Sequence, residues 1–409
     1  MTAIHEEGAP RNSRAFLIVF LAFLSAFGPF VTDFYLPTLP DQTVDFGAPA
    51  SMVQLGLSAT MWGLAAGQLW IGPLSDTRGR RIPLAASLAV FSLATAGAVF
   101  APDIETFIAM RFLEGLGASG AVVMSRSIAA DLHAGRELAT LMAVVGAIQG
   151  IAPVTAPMIG ALIAEAAGWR EIFMLLLAIG LSLTLVTLFV FRESLSKVRA
   201  RPRGSVAASF APLMRDPLFL AVTGQQFFSS GILFGHISAS PFIFQTIFGL
   251  SPSAYGMVFG MLALSITAGA MASSRFASPV SAMEKGAFGT LIGGALTAAF
   301  ALDAPLPAAI AAMIVMLVTL GLTLPSAMTF ALTLHRERAG AAAAILGSVA
   351  FLGGGLVAPL TSIADPRVCV SVIFIFSGLM LVLIALATRR GLARVRDRQA
   401  GEALELVKD

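Results

Sequence analysis

Long apolar segments alternate with short polar segments along almost the whole chain. A helix needs about 20 mainly apolar residues to cross a bilayer, and the apolar segments have about this length. We therefore predict twelve membrane-spanning helices, called spans one to twelve. Their approximate bounds are 15–36, 51–74, 82–101, 104–126, 138–164, 170–191, 217–244, 251–274, 286–303, 306–332, 339–364 and 367–387.

The composition agrees with this pattern. Of the 409 residues, 57% are hydrophobic and 12% are charged, and the mean hydropathy is +0.87. Ordinary soluble domains contain about 25% charged residues. The chain is therefore predicted to be an all-α membrane protein.

One long polar segment, rich in Arg, Ser and Pro, separates six spans from six. This division predicts two pseudo-symmetric six-helix bundles, an arrangement in which secondary transporters place substrate between repeats. The Gly-rich segments 146–162 and 346–363 favour an internal duplication, although Gly and Pro are frequent in membrane helices generally. The predicted units are a tail at 1–14, a bundle at 15–191, a linker at 192–216, a second bundle at 217–388 and a tail at 389–409.

Positive charge predicts the orientation. All Lys and Arg residues except Arg111, Arg170 and Arg367 fall in the tails or beside loops that follow even-numbered spans. Because Lys and Arg collect in cytoplasmic loops, both termini are predicted to be cytoplasmic. The pI near 9.5 follows from this topology, so we infer no nucleic-acid partner from it. The single cysteine, Cys369, excludes an intramolecular disulfide and most metal frameworks, and we predict no metal site.

Two charged side chains, Asp33 in span one and Arg111 in span four, lie inside the predicted membrane. Asp33 lies about 27 Å from the start of span one, and Arg111 lies about 10 Å into span four, which enters from the far side. The two side chains are therefore predicted to share a depth. Membrane helices keep such charges mainly where they pair or handle ions and substrate. We expect Asp33 to pair with Arg111 in a pathway for protons.

Polar side chains also form stripes on spans four, seven and ten, taking 100° per residue. Polar residues on apolar helices turn away from lipid, so the stripes predict a substrate cavity, with Phe228 as an aromatic candidate beside it. For each stripe the alternative to a cavity is that its side chains serve helix packing or hydrogen-bond to carbonyl groups of their own helix. For His236 the alternative is the role of a neutral hydrogen-bond partner. The predicted cavity residues are Gln225, Ser229, His236 and Ser240 in span seven and Thr319, Thr323 and Ser326 in span ten.

Two segments have a composition typical of regions that change conformation. In the loop 72–81, Gly79 can adopt positive φ beside a carboxylate and several arginines, which predicts either a conformational latch or a solvated basic loop. In span five, small residues allow close helix approach and prolines bend the helix, which predicts either a pivot or a static packing face. The candidate switch residues are Gly72, Asp76, Arg78, Gly79, Arg80 and Arg81 in the loop and Gly146, Gly150, Pro153, Pro157 and Gly160 in span five.

Four stretches carry a family resemblance: Asp33–Pro37, Gly72–Arg81, Arg111–Gly117 and the Gly/Pro series of span five. They resemble the major facilitator superfamily, and within it the twelve-span drug:proton antiporters of the bicyclomycin/chloramphenicol-resistance type. The resemblance implies that spans one, four, seven and ten line the cavity and that transport is export. Two positions depart from the family pattern, because Thr77 stands where Arg is usual and Glu114 stands where Gln is usual.

The residues and the resemblance together imply a proton-coupled secondary transporter of the bacterial inner membrane that exports amphipathic small molecules, either drugs or metabolites, by alternating access. Asp33 is the expected proton acceptor, Arg111 tunes its affinity for protons, and Glu114 is a second acceptor or a substrate contact. We expect a monomer surrounded by lipid, with the proton as coupling ion and no cofactor.

Two other classes of function stay open. A superfamily facilitator or proton symporter that imports a metabolite would share the fold, and the span-five Gly/Pro series argues against import. A membrane sensor or an integral membrane enzyme would ordinarily contain a soluble domain or a catalytic cluster. The sequence lacks the phosphate loop GxxxxGK(S/T) and the hydrolase motifs HExxH and GxSxG, so we do not expect an enzyme.

Overall fold

The structure is a computed structural model that describes residues 12–133, 135–195, 210–299, 304–335 and 338–405. Within these ranges the chain is helical and contains no β-strand. The long helices are α1 (Arg14–Asp33), α2 (Ala50–Arg78), α3 (Arg81–Val99), α4 (Ile104–Leu132), α5 (Gly135–Ala166), α6 (Trp169–Phe189), α7 (Pro217–Pro241), α8 (Pro252–Ser273), α9 (Pro279–Thr297), α10 (Leu306–Leu334), α11 (Ala339–Val357) and α12 (Pro366–Glu405). Short helical segments follow three of them, at Leu36–Thr38 and Leu39–Asp45, at Phe242–Ile247 and at Ala358–Ser362.

Each predicted span corresponds to one long helix. Counted over the described residues, nine helices are long and apolar enough to cross a membrane. The other three long helices are α2, α5 and α9. Helix α2 carries the polar residues Gln54, Gln68 and Asp76. Within α5, the apolar segment among the described residues is the shorter range Gly150–Ala166. The protein is thus a multi-pass membrane protein, and the crossing of all twelve helices stays a prediction.

Helix ends differ from the apolar bounds where charged residues continue a helix. Helix α9 begins at Pro279, seven residues before the predicted start at 286, because Glu284 and Lys285 interrupt the apolar run without interrupting the backbone. Helix α12 continues to Glu405, through much of the predicted tail at 389–409. Arg, Ala and Leu have high helix propensity, so hydropathy marks where a helix leaves the membrane and not where it ends. Most of the predicted linker at 192–216 lies outside the described residues.

Polar side chains fix the start of several helices. Ser or Asp side chains accept a backbone N–H in the first turn and so satisfy one of the N–H groups that have no partner within the helix. The capping residues are Ser13 for α1, Asp103 for α4, Asp216 for α7, Ser251 for α8 and Ser278 for α9. Asp216 also lies 2.8 Å from His335, so the start of α7 is fixed to the end of α10.

The same helix pairs pack in both halves of the chain when the helix number is shifted by six. Helix α2 packs on α4 as α8 packs on α10, α3 packs on α4 as α9 packs on α10, and α3 packs on α6 as α9 packs on α12. Helix α1 packs on α4 and α5 as α7 packs on α10 and α11. The fold is therefore two pseudo-symmetric six-helix bundles, as two copies of one repeat would give.

The halves meet through α2 with α11 and through α5 with α8. We call the end of the molecule where α2 ends at Arg78 the basic face, and the end where α1 ends at Asp33 the opposite face. Among the described residues, the hydrogen bonds between halves lie toward the opposite face or near mid-membrane. They join Gln54 to Ser238, Thr361 and Ser362, Gln245 to Pro37, Glu165 to Ser253, and Ser348 to Ala65. These contacts close the molecule at the opposite face.

Candidate functional site

A buried ion pair lies on α4. The Arg111 guanidinium donates through Nη1 to Oε2 of Glu114, one turn further along the same helix, and both side chains are fully buried. The other carboxylate oxygen of Glu114, Oε1, accepts a hydrogen bond of 3.0 Å from the hydroxyl of Thr95 on α3. Both oxygens of this carboxylate therefore have a donor.

Three further contacts hold the Arg111 guanidinium in place. Its Nη2 donates to the carbonyl oxygen of Val31 on α1 at 2.8 Å. The carbon atom Cζ lies 4.3 Å from the centre of the Tyr35 ring and 5.2 Å from the centre of the Phe173 ring. Such cation–π contacts are strongest where water is excluded, so the rings seal the pair from two sides.

Asp33 does not join this pair. The carboxylate is 3% exposed, and its Oδ1 accepts a hydrogen bond of 2.7 Å from the Thr32 hydroxyl. Among the described residues it forms no salt bridge, and the cation Arg111 is paired with Glu114. The prediction that Asp33 pairs with Arg111 is therefore wrong for this structure. The matched depth is right, because Arg111 reaches α1 at Val31, but depth does not say which carboxylate the guanidinium faces.

Asp33 lies where α1, α5 and α8 approach one another. A Cβ added to Gly160 of α5 would lie 1.7 Å from the carbonyl oxygen of Phe34, so the α5 backbone directly abuts the residue after Asp33. Helix α8 packs against α5 within one turn of Gly160, where Gly256 lies against the backbone of Pro157 and Met158. Any rearrangement of α5 or α8 would change the surroundings of this carboxylate.

Several predicted cavity residues are buried and linked across helices. The Ser240 hydroxyl lies 3.0 Å from the Tyr255 hydroxyl, and the Ser229 hydroxyl lies 3.2 Å from that of Thr323 on α10. The His236 ring stacks on Phe259 of α8, with 5.9 Å between ring centres. Ser326 is buried on α10. The polar face of α7 therefore contacts both α8 and α10.

Two of these residues carry buried polar atoms that have no hydrogen-bond partner among the described residues. They are both amide atoms of Gln225 and Nδ1 of His236. Most buried polar atoms in proteins have a partner, so each such atom calls for an explanation. Atoms of this kind are candidates to bind the polar groups of a ligand.

Two predicted cavity residues point elsewhere, and we correct them. The Phe228 ring contacts the Phe376 ring of α12 edge to face at 6.1 Å, and Phe376 is 54% exposed on the outer surface. The Thr319 hydroxyl accepts a hydrogen bond of 3.3 Å from Thr290 on α9. Both residues therefore serve helix packing, because a helical wheel gives a direction around one helix but does not identify the neighbour in that direction.

Residues 72–78 of the predicted loop are the last turns of α2, and the junction between α2 and α3 at the basic face is ordered by Arg80. Its guanidinium forms salt bridges of 2.7 Å with Asp76 and 2.7 Å with Asp131 at the end of α4, and it donates to the Ser75 hydroxyl at 2.6 Å. All these partners belong to the first half of the chain. In contrast, Arg78 is exposed and has no hydrogen bond or salt bridge among the described residues, so the structure assigns it no latch contact.

Glu193, just after α6, fixes the start of α3. It accepts the backbone N–H of Arg80 at 2.8 Å and that of Arg81 at 3.1 Å. Gly79 has a φ of +86°, and a Cβ there would lie 2.6 Å from the Glu193 carboxylate, so both conformation and space require glycine. The Arg81 guanidinium donates to carbonyl oxygens at the end of α6, Thr187 and Leu188. The junction between α2 and α3 is thereby bound to the start of the predicted linker.

The switch residues of α5 differ in their surroundings. Gly160 abuts α1, as described above, and the backbone at Pro157 and Met158 lies against Gly256 of α8. Pro153 and Pro157 both lie inside the helix. A Cβ at Gly150 would meet no described atom within 4 Å, and one at Gly72 would make an ordinary contact with Val123 at 3.6 Å, so neither marks a close helix approach. The surroundings of Gly146 lie outside the described residues.

Several residues of these clusters were not predicted from the sequence, among them Tyr35, Thr95, Gln54 and Glu193. Tyr35 had a signal, because it lies within the stretch Asp33–Pro37 and is one of only two tyrosines. The others had none, because each acts through a neighbour that is distant along the chain.

The sequence has clear relatives. A profile of the Major Facilitator Superfamily matches residues 15–359. The chain is 34% identical over 366 residues to the uncharacterized MFS-type transporter YdgK of Bacillus subtilis, covering 88% of this chain and 90% of that protein. It is 27% identical over 274 residues to a bicyclomycin resistance protein homolog of Haemophilus influenzae, covering 66% of this chain and 69% of that protein. It is 28% identical over 248 residues to the multidrug resistance protein MdtL of Salmonella paratyphi C, covering 60% and 61% of the two chains.

Solved structures share the fold. A bacterial homolog of the human lysosomal transporter Spinster, in an inward-facing and unoccupied conformation, matches with a TM-score of 0.75 at 16% identity, covering 92% of this chain and 97% of that one. The xylose transporter XylE of E. coli, in a partially occluded inward-open conformation, matches with a TM-score of 0.69 at 17% identity, covering 91% and 96%. Family profile, repeated six-helix packing and these folds agree that the chain is a transporter and belongs to the Major Facilitator Superfamily.

Proposed function

We propose that this transporter exports amphipathic small molecules from the cytoplasm of a bacterium in exchange for protons. It would act as a monomer in the inner membrane, with the proton as coupling ion and no cofactor. The names of its relatives support drug export, since they include a multidrug resistance protein and a bicyclomycin resistance homolog. The basic face is then the cytoplasmic side, as the positive-inside rule requires.

The observation that carries the proposal is the buried carboxylate of Asp33. It has a hydroxyl donor but no salt bridge among the described residues. An acid inside a membrane protein is a functional-site candidate by default, because a charged carboxylate without a counter-ion is costly there. Taking up a proton removes that cost, and releasing it requires new surroundings, which alternating access would supply.

The packing around Asp33 supports a link between proton and conformation. Helix α5 abuts α1 at Gly160 and packs on α8 of the other half at Gly256. Opening the opposite face must separate α5 from α8. The same movement would therefore reach the backbone beside Asp33 and expose the carboxylate to the outer solution.

Substrate would bind between the halves, against the polar faces of α7 and α10. The amide of Gln225 and Nδ1 of His236, which have no hydrogen-bond partner among the described residues, would bind polar groups of the substrate, with Ser229, Ser240, Thr323 and Ser326 nearby along the same helices. Aromatic rings at Tyr255 and Phe259 supply apolar surface. A site of this kind suits a molecule with both polar and apolar parts.

The test is transport by purified protein in proteoliposomes under an imposed proton gradient, with chloramphenicol and bicyclomycin as probes. Asp33→Asn is expected to lose gradient-driven transport but to keep exchange of labelled against unlabelled probe, because the variant cannot change charge. Asp41→Asn, an exposed acid in the short helix Leu39–Asp45, is the matched control and should transport as the wild type does. Full gradient-driven transport by Asp33→Asn would refute the assigned role.

Import by a facilitator or symporter is separated from export by accumulation in whole cells. Cells that overproduce the protein are expected to accumulate less chloramphenicol than control cells, and a protonophore should abolish the difference. Greater accumulation, again abolished by the protonophore, would indicate a proton symporter instead.

A further inference from the structure

Within the described residues, the amide of Gln225 on α7 has no hydrogen-bond partner for either its nitrogen or its oxygen. The side chain is 0% exposed. Other buried glutamines differ, because the amide nitrogens of Gln42, Gln54 and Gln226 all donate hydrogen bonds and only their oxygens lack a partner among the described residues. Gln225 therefore offers a donor and an acceptor side by side.

An unpaired amide in a protein interior carries a cost in stability. Buried polar atoms without a partner destabilise the folded state, and an apolar side chain of the same size would avoid the cost. A ligand that pairs with both atoms would remove it as well. The amide of Gln225 is therefore better explained by a ligand group than by helix packing.

The position of Gln225 agrees with a role in substrate binding. Residues four apart lie on the same side of a helix, so Gln225 shares the polar face of α7 with Ser229, whose hydroxyl lies 3.2 Å from that of Thr323 on α10. Gln225 lies about 12 Å from the start of α7 at the basic face. A substrate that enters from this face reaches Gln225 before the contacts that close the opposite face. Its amide is covered in this conformation and is uncovered as α7 and α10 change position.

The shape of a carboxamide restricts which group can pair with both atoms. Its oxygen and one of its N–H groups lie on the same edge, so the partner must present a donor and an acceptor on one edge in the opposite order. Asn and Gln side chains read adenine through paired hydrogen bonds of this kind. An amide held in the cis form by a ring has such an edge. An open-chain trans amide does not, because its N–H and C=O groups point in opposite directions.

We infer that Gln225 determines substrate specificity by binding a cis-amide group of the substrate through two parallel hydrogen bonds. The inference rests on the proposed function, since it concerns the same binding site. It narrows the substrate class to cyclic amides, such as lactams and piperazinediones, that also carry apolar parts.

Gln225→Met tests the inference, because methionine keeps the size of the side chain and removes both hydrogen-bonding atoms. Bicyclomycin, whose piperazinedione ring holds its amides in the cis form, and chloramphenicol, whose amide is open-chain, are the probes. Binding of each is measured with purified protein in detergent. The affinity of Gln225→Met for bicyclomycin is expected to fall about tenfold or more, as loss of two hydrogen bonds implies, and its affinity for chloramphenicol is expected to fall much less.

Gln226→Met is the matched control on the same helix. Its amide nitrogen donates to Ser230 Oγ at 3.2 Å, so it cannot supply the paired hydrogen bonds. This variant is expected to change both affinities by the same factor. An equal change for the two probes in Gln225→Met would overturn the inference, and so would a wild-type protein that binds chloramphenicol but not bicyclomycin.

Thermal unfolding without any probe gives a second readout. Gln225→Met is expected to unfold at a higher temperature than the wild type, because it removes the buried amide that has no partner among the described residues. A lower unfolding temperature would mean that the amide is already satisfied inside the protein and would overturn the inference. The proposed function fails separately, if the wild-type protein transports both probes without any response to the proton gradient.

Discussion

At the scale of single residues, the sequence spacing between Arg111 and Glu114 indicates the ion pair better than the matched membrane depth of Asp33 and Arg111 does. Side chains three residues apart on a helix are neighbours, so an ion pair on α4 could have been predicted from the sequence. Depth in the membrane matched Asp33 to Arg111 equally well, but it leaves the direction of each side chain open. In the structure Arg111 pairs with Glu114, and Asp33 accepts a hydrogen bond from the Thr32 hydroxyl instead.

Tyr35 tests how the buried pair is stabilised. Its ring lies 4.3 Å from the Arg111 guanidinium, and its buried hydroxyl has no hydrogen-bond partner among the described residues. Tyr35→Leu is therefore expected to lower stability by about 2 kcal/mol, the value for a cation–π contact shielded from water. Tyr35→Phe keeps the ring and should keep most of that stability. Thermal unfolding in detergent measures both variants, and equal losses would contradict the role given to the ring.

At the scale of helices, hydropathy located every long helix but not its ends or its neighbours. The start of α9 and the length of α12 were misjudged, because charged residues with good helix propensity continue a helix beyond its apolar part. Thr319 and Phe228 were placed on the correct helices but in the wrong environment. Their neighbours on α9 and α12 are distant in sequence, and no pattern within one helix identifies them.

Helix α5 offers a prediction with a matched control. Gly160→Ala would place a Cβ 1.7 Å from the Phe34 carbonyl oxygen, so α5 must move away from α1. Overpacking of this kind costs about 1 to 3 kcal/mol, and we expect lower thermal stability together with slower transport. Gly150→Ala meets no described atom and should be neutral or stabilising by up to about 1 kcal/mol. Equal behaviour of the two variants would contradict the close contact between α1 and α5.

At the scale of the whole molecule, the sequence predicted two halves but not how they are held together. Duplication follows from the linker and is supported by the repeated packing of helix pairs. Gln54, a polar residue of α2 with no distinguishing motif around it, joins the two halves toward the opposite face. Its Nε2 lies 3.0 Å from the Ser238 carbonyl oxygen, 3.0 Å from Thr361 Oγ1 and 2.9 Å from Ser362 Oγ. Such contacts exist only once the chain has folded.

Removing these hydrogen bonds should favour opening at the opposite face. Gln54→Leu keeps a side chain of similar size but cannot donate, so we expect a larger population with α2 and α11 apart. Spin labels at the opposite-face ends of these helices would measure this as longer distances. Gln42→Leu is the control, because Gln42 bonds to Thr38 within its own half. Unchanged distances in Gln54→Leu would mean that other contacts between the halves keep this face closed.

The central claim is that substrate binding is coupled to proton release from one carboxylate, that of Asp33. Measuring proton release by the protein in detergent tests this claim most directly. A pH indicator in weakly buffered solution would record release when chloramphenicol or bicyclomycin is added. The wild-type protein is expected to release protons on binding, and Asp33→Asn is expected to bind the same probe without release. Equal proton release by Asp33→Asn would contradict the account.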